Sequence, residues 1–391
     1  MAATRNYDLV LFGATGFAGE LTAKYLARHT PRDTRWALAG RNPGKLAAVR
    51  HELAAIDPAL ADLNLLIVDA SDARGLREIA ASTKVVITTV GPYIWHGEPL
   101  VAACAAEGTD YVDLTGEPEF VDTMYLKHHE TAVSTGARIV HACGFDSIPH
   151  DLGAYYTVLQ LPEGVPLTVA GYVEVDAAFS GGTAHSAITA LSRGRANLAA
   201  AKARRQAEGT VTTRSVHAGP GRPHREPATG GWALPMPTVD PQIVGRSARA
   251  VERYGPDFRY THHVSFPKVS MAAGVVGAVA GMGVIAQIPP ARRAVLKRVP
   301  QGSGPSDEKR ARSWFKVTFV GEGGGRKVVT RVSGGDPGYD ETAKMLAESA
   351  LCLAFDELPK TAGQVTTTAA MGDALLDRLQ KADLTFEVLQ A

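Results

Sequence analysis

The feature that most constrains this chain is Gly13-Ala-Thr-Gly16-Phe-Ala-Gly19, which directly follows the apolar run Tyr7 to Phe12 and opens a segment with Phe17, Leu21 and Tyr25 at every fourth position. A strand, a glycine turn and an amphipathic helix in that order predict the first βα unit of a parallel sheet. Each glycine has its own physical task. Gly13 permits the tight turn, Gly16 lets the backbone approach a diphosphate, and Gly19 lets the helix pack closely on the strand. The anion would then meet unpaired N–H groups at the positive end of the helix. Gly13, Thr15, Gly16, Phe17 and Gly19 are therefore the expected contacts. The plainer alternative is a turn with the same flanks that binds nothing.

Downstream, apolar runs at Arg35 to Ala39, Asn64 to Val68, Val85 to Val90, Tyr111 to Leu114 and Arg138 to Ala142 alternate with helical patterns. Right-handed crossovers between such units give an α/β fold, a Rossmann-type doubly wound parallel sheet. Asn42 with Pro43 reads as the cap and first residue of the second helix, with Leu46 and Val49 on its inner face. We place this dinucleotide-binding domain at 1–148. A second, α+β domain with a mixed sheet is expected at 149–335, and a C-terminal helical segment at 336–391 that packs back on the first domain. In the second domain, strands are expected at Leu167 to Ala177, Phe258 to Phe266, Trp314 to Val320 and Val328 to Val332, with Glu322 to Gly325 as a hairpin turn. Residues Gly209 to Gly245 read as a long surface excursion. The final helix runs from about Tyr339 to Phe355, with Met345, Ala347, Leu351 and Leu353 packing.

The end of the second strand decides the cofactor. A carboxylate there would bind the ribose hydroxyls of NAD, but this chain has Ala39-Gly40-Arg41. A guanidinium at Arg41 suits a 2′-phosphate, and Lys45 adds a second charge on the same helical face, so NADP(H) is expected. The bland alternative is two solvated basic residues. Asp69 and Ala70 follow the third strand, and Val90, Gly91 and Pro92 follow the fourth. Both sites lie at the carboxyl edge of the sheet, where they should flank adenine and nicotinamide respectively.

Composition excludes several classes. With 41 basic and 40 acidic residues the chain has no general charge that would draw it to nucleic acid. Three cysteines without a CxxC pair fit buried thiols in a cytoplasmic protein. The start of the chain lacks the apolar stretch and cleavage site of a signal peptide. No HxH, CxxC or HExxH pattern occurs, and His262-His263 should point to opposite faces of a strand, so no metal site is expected. Basic residues outnumber acidic ones 12 to 5 between Arg193 and Arg259 and 8 to 2 between Arg292 and Lys316. Such a surface could meet an acidic acyl carrier protein or be a solvated face. Val269 to Ile288 carries no charge, but nine of its 20 residues are Ala or Gly. We expect a buried or interfacial helix, with peripheral membrane contact or reception of an acyl chain as its uses and Gly277 and Gly281 admitting another helix. A homodimer is expected.

GATGFAG, AGRNPGKL, TTVGPYIWHGEPLVAACAAEGTDYVDLTGE and CGFDSIPHDLG together resemble the saccharopine dehydrogenase-like oxidoreductases, and more closely their trans-acting enoyl reductase branch. The likeness covers the first 155 residues and resumes at GYDETAKMLAESALCLA. It implies a Rossmann domain, an α+β domain, and NADP-linked reduction of a conjugated double bond in an acyl or polyketide-like substrate, carrier-bound or free. His150 stands where the family has a small hydroxyl residue, Trp95-His96 is unusual after GPY, and QVTTTAAMG lacks an expected proline. Such a reduction needs an oxyanion donor and a proton source. Tyr93 is the candidate donor, His96 and His150 are candidate proton sources, and Asp146 with Ser147 lies at the same edge. Each could instead serve packing. Asp113 and Glu117 would bind a substrate amine if the enzyme reduced an imine, though Glu117 reads more simply as the cap of the helix beginning at Pro118. A noncatalytic NADP-binding or membrane-associated adaptor is the third reading.

Overall fold

The computed structural model describes residues 5–177, 188–189, 191–209, 214–298 and 304–391. Its strands are, in order, β1 (Tyr7–Phe12), β2 (Trp36–Gly40), β3 (Asn64–Ile67), β4 (Thr83–Thr88), β5 (Asp110–Asp113), β6 (Arg138–Val140), β7 (Leu167–Asp176), β8 (Ser215–Gly219), β9 (His224–Glu226), β10 (Gly231–Pro235), β11 (Asp257–Phe266), β12 (Trp314–Gly323), β13 (Arg326–Gly334), β14 (Gly363–Val365) and β15 (Thr385–Gln390). The chain divides into two compact units. One comprises Met1–Gly144 with Tyr339–Leu379, and the other Phe145–Gly338 with Gln380–Ala391.

The first unit holds a sheet in the order β14-β6-β5-β4-β1-β2-β3, every pair parallel. Its central strands carry apolar runs because both faces are covered; Leu9, Val10 and Leu11 are fully buried, as are Val85, Val86 and Ile87. The order reverses at β1 and β4, which is the switch point where open α/β sheets bind ligands. Asn42 caps the Pro43–Ile56 helix, its side chain accepting from the Lys45 amide at 2.9 Å, and Leu46, Val49 and Leu53 are buried beneath it. The Asp340–Phe355 helix packs against the Phe17–His29 helix. Met345, Ala347, Leu351 and Leu353 are buried there, Tyr25 donates to Glu348 at 2.8 Å, and Phe17 meets Tyr339 edge-on.

The second unit holds a mixed sheet in the order β15-β13-β12-β7-β11-β10-β9, with β8 also pairing with β11. β7 and β8 run parallel to β11, while β12, β13, β15, β10 and β9 make antiparallel pairs. Gly324 and Gly325 turn the β12–β13 hairpin with φ of 56° and 78°, the left-handed pair that a two-residue turn requires.

Three expectations are corrected. Gly209 to Gly245 is not a surface excursion: it supplies β8, β9, β10 and the start of the Asp240–Ala250 helix, with only 210–213 outside the described residues. The tail is not wholly helical, since β15 adds a strand to the second unit's sheet. The Val269–Gln287 helix is not buried either; only Ala272 and Ala286 are, and a Cβ added at Gly277 or Gly281 would meet nothing within 4 Å.

Candidate active site

The glycine turn has the expected form. Gly13 adopts φ +90°, its amide donates to Ala39 O at 2.9 Å, and its carbonyl accepts from the Gly16 amide at 3.1 Å. A Cβ at Gly19 would lie 2.2 Å from Gly13 O, so only glycine lets the helix approach the turn. At Gly16 the situation differs: a Cβ would meet only Gly13 O at an ordinary 3.5 Å. Nothing in the protein demands glycine there, which is what a site opened for an external group requires. Gly16 is also the N-cap of the Phe17–His29 helix and brings no side chain to satisfy the first-turn amides. Thr15 is half-buried beside it.

Arg41 follows β2 directly, and its side chain is 83% exposed, with Asp69 Oδ2 4.0 Å away. That is a loose pairing which leaves the guanidinium available. Lys45 is exposed one helical turn on. Hydrogen bonds from the Ser71 hydroxyl and amide hold the Asp69 carboxyl below its ordinary range. Ala70, Val90 and Pro92 are half-buried and Gly91 is exposed. These residues fit a phosphorylated dinucleotide: a helix N-terminus without a side-chain cap for the diphosphate, an exposed guanidinium for the 2′-phosphate, and glycine where the backbone must be approached.

Tyr93 turns out to be structural. Its ring is buried, and its hydroxyl donates to Thr88 O at 3.0 Å while accepting from the Leu114 amide at 3.1 Å, tying the end of β4 to the end of β5. Burial raises its pKa well above the ordinary value, with the Asp113 charge adding to the effect. A hydroxyl spent in both directions is not turned toward a developing oxyanion. Glu117 is corrected similarly. It begins the Pro118–Thr135 helix without capping it, and its two oxygens accept from the Tyr93 and Ile94 amides at 3.0 and 2.9 Å, capping the short Tyr93–His96 turn instead. Asp113 is fully buried. It accepts from the Tyr111 hydroxyl and the Thr115 and Ala142 amides at 2.9 to 3.0 Å, and it lies 2.6 Å from His141 Nδ1. Trp95 and His96 are exposed.

In the second unit the structure assembles a cluster from three distant segments. His150 Nε2 and His262 Nε2 lie 3.7 and 3.5 Å from the two oxygens of Asp240, and all three side chains are fully buried. The Thr238 hydroxyl donates to Asp240, Tyr260 Oη is 2.9 Å from His262 Nδ1, and the two imidazoles meet edge-on. Both ring nitrogens of His150, Nε2 of His262 and Oγ of Ser147 have no hydrogen-bond partner among the described residues. Burial lowers the His150 pKa to about 3, so the ring is neutral and brings no imidazolium proton. Burial does the same to His262, against the pull of Asp240. Asp146 moves the other way. Burial, reinforced by the Asp240 charge, pushes its carboxyl up to about 7, which leaves it a proton carrier at neutral pH.

The donor atoms of His150, Asp240 and His262 lie within 4.8 Å of one another and could hold a cation, which corrects the expectation of no such grouping. His262 and His263 do take different partners: His263 stacks on Tyr172. The sequence reading missed Asp240 and His262 because neither sits in a motif. The alternation around His262 in β11 does mark it as inward-facing.

Residues 9–140 match the saccharopine dehydrogenase NADP binding domain. Over 99% of its length the chain is 39% identical to a putative trans-acting enoyl reductase of Mycobacterium tuberculosis, covering 98% of that protein. Over 97% it is 37% identical to a trans-acting enoyl reductase of Mycobacterium ulcerans, covering 96% of it. Among solved structures, apo saccharopine dehydrogenase (L-Glu forming) from Saccharomyces cerevisiae superposes with a TM-score of 0.58 at 13% identity, covering 98% of this chain and all of that one. That likeness is one of fold.

Proposed function

Given that the chain belongs to the trans-acting enoyl reductase family, with the NADP-binding domain of the saccharopine dehydrogenases and hence an NADP-dependent oxidoreductase, we propose that it reduces the conjugated carbon–carbon double bond of an acyl or polyketide-like thioester. One observation carries the preference over imine reduction. Asp113 and Glu117, the carboxylates an amine substrate would need, are buried and already accept from the protein's own donors. A second ammonium or imine partner would have to displace backbone amides, leaving them unsatisfied in a buried setting.

NADPH, when bound, supplies a hydride for the β-carbon. The uncapped first turn of the Phe17–His29 helix would receive the diphosphate, and Arg41 with Lys45 would hold the 2′-phosphate. Asp146, protonated by virtue of its surroundings, holds the proton that the α-carbon must gain, and neutral His150 brings no competing imidazolium proton. A reductase acting in trans must meet a chain held by another protein, so a carrier-bound substrate and an acyl carrier protein partner belong to this reading. The basic surplus is smaller than the sequence suggests for that purpose, since Arg204, Arg246 and Arg249 converge on Glu208.

The test follows NADPH oxidation with matched panels of enoyl thioesters and cyclic or amino-acid-derived imines. Turnover of the thioesters alone is expected. Turnover of the imines alone would replace this reading with the saccharopine-type one, and oxidation of neither would favour the adaptor.

A further inference from the structure

The Val269–Gln287 helix is 19 residues long, has a mean hydropathy of 2.0 over its most apolar window, and has only 11% of that window buried. A soluble protein ordinarily hides such a helix in its core. Here Val276, Val279 and Val284 are 54%, 53% and 63% exposed. The apolar surface is not one stripe. At roughly 100° per residue, Val276, Met282, Val284 and Ile285 fall in four different quarters of the helix, and all four are exposed. The helix is fastened to its unit near its ends, through buried Ala272 and Ala286 and a 2.8 Å bond from Gln287 Nε2 to Leu191 O.

Two arguments decide what covers it. A protein partner covers one face, and a second copy of this chain in a two-fold contact would bring like charges together: from Pro267 to Ser306 the sequence has five basic residues and no acidic one. Lipid covers all faces, and the cations Lys268, Arg292, Arg293 and Lys297 that flank the helix suit anionic headgroups. The helix spans about 28 Å, long enough to cross a bilayer. Sheet connectivity rules that out. The helix leaves β11 and the chain re-enters at β12, and both strands are hydrogen-bonded to β7. One crossing would require a return, yet the intervening Pro289–Arg298 helix has ten residues with four basic ones, and no apolar stretch follows before Trp314.

We propose that this helix lies lengthwise in one leaflet of an anionic bilayer, tethering the second unit to the membrane surface without spanning it. The inference is independent of the reaction assigned above. Its test is flotation of the full chain with phosphatidylcholine vesicles, with and without phosphatidylglycerol, and with the double variant Val276→Asp/Val279→Asp. The chain should float, more completely with the anionic lipid, and the exposed-face variant should lose about tenfold or more in bound fraction while still binding NADPH, which shows it is folded. Single cysteines introduced as Met271→Cys, Val276→Cys and Ile285→Cys and labelled with an environment-sensitive fluorophore should all report one shallow depth. Three results would each overturn the proposal: a chain that stays in the aqueous fraction with both lipids, a depth gradient from 271 to 285, or a self-association abolished by the aspartates without any flotation.

Discussion

Two places in the molecule, the β4 and β5 ends of the first unit and the His150 cluster of the second, treat buried polar groups in opposite ways. In the first, Asp113 is closed by donors on several sides, the Tyr93 hydroxyl is used as donor and acceptor, and Asp8 bonds Arg35 and Lys84. Burial alone would raise the Asp8 carboxyl, yet those partners hold it at about 2. In the second, His150, His262 and Ser147 keep nitrogen or hydroxyl atoms unpartnered among the described residues, and Asp146 rises to about 7. An unsatisfied buried group costs about 1–3 kcal/mol. Proteins tolerate that cost mainly where chemistry uses it. The hydrogen bonds around Tyr93 and Asp113 thus fix geometry, whereas the Asp146–His150–His262 group keeps protons available.

The largest effect should come from breaking the first unit's fixed geometry. Gly19→Val puts a side chain where Gly13 O lies 2.2 Å from a Cβ; we expect a loss of more than about 3 kcal/mol and no measurable NADPH binding. A thermal melt with cofactor titration checks both, and near-normal binding would mean that the turn is looser than described. Next is Asp146→Asn. A carboxyl at about 7 when folded, against an ordinary 3.8, binds more protons folded than unfolded in that window. The folded state is therefore penalised at high pH and relieved as pH falls to 4. The variant should be more stable by about 4 kcal/mol at pH 8, nearly indistinguishable near pH 4, and about 100-fold slower in turnover. Stability gained without activity lost would remove Asp146 from the mechanism.

Arg41→Ala sharpens the contrast from the ligand side. NADPH affinity should fall about 30-fold, the worth of a charge-assisted contact of about 2 kcal/mol, with NADH affinity changed less than about twofold. Equal losses would show that the guanidinium does not read the 2′-phosphate. The smallest effect is expected for Tyr93→Phe, which leaves the Leu114 amide without its acceptor: about 1–2 kcal/mol in a urea titration, with turnover nearly unchanged. A tenfold drop in turnover at unaltered stability would restore the hydroxyl to the chemistry.

The first unit was readable because its signals are local. Alternating apolar runs and glycines at fixed offsets placed β1 to β6 within a few residues, whereas β14 is three residues long and carries no pattern. In the second unit, the Gly209 to Gly245 segment that carries β8 to β10 is rich in Gly, Pro, Arg and Thr, a composition typical of loops, and its strands form because the edge of β11 left open by β7 takes β8 along Asp257–Thr261 and β10 along His263–Phe266. The site divides the same way. Gly13, Gly16 and Arg41 announce themselves by position. The fate of the Tyr93 hydroxyl depends on the neighbouring strand end, and the His150–Asp240–His262 grouping depends on segments some 90 and 112 residues from His150 meeting in space.

Each unit is assembled from two stretches of chain, Met1–Gly144 with Tyr339–Leu379 and Phe145–Gly338 with Gln380–Ala391. During synthesis, then, the nucleotide-binding sheet waits for Gly363–Val365 to leave the ribosome, and the other sheet waits for Thr385–Gln390. A premature stop before Leu379 would spare neither half, and no single cut can release one of them whole.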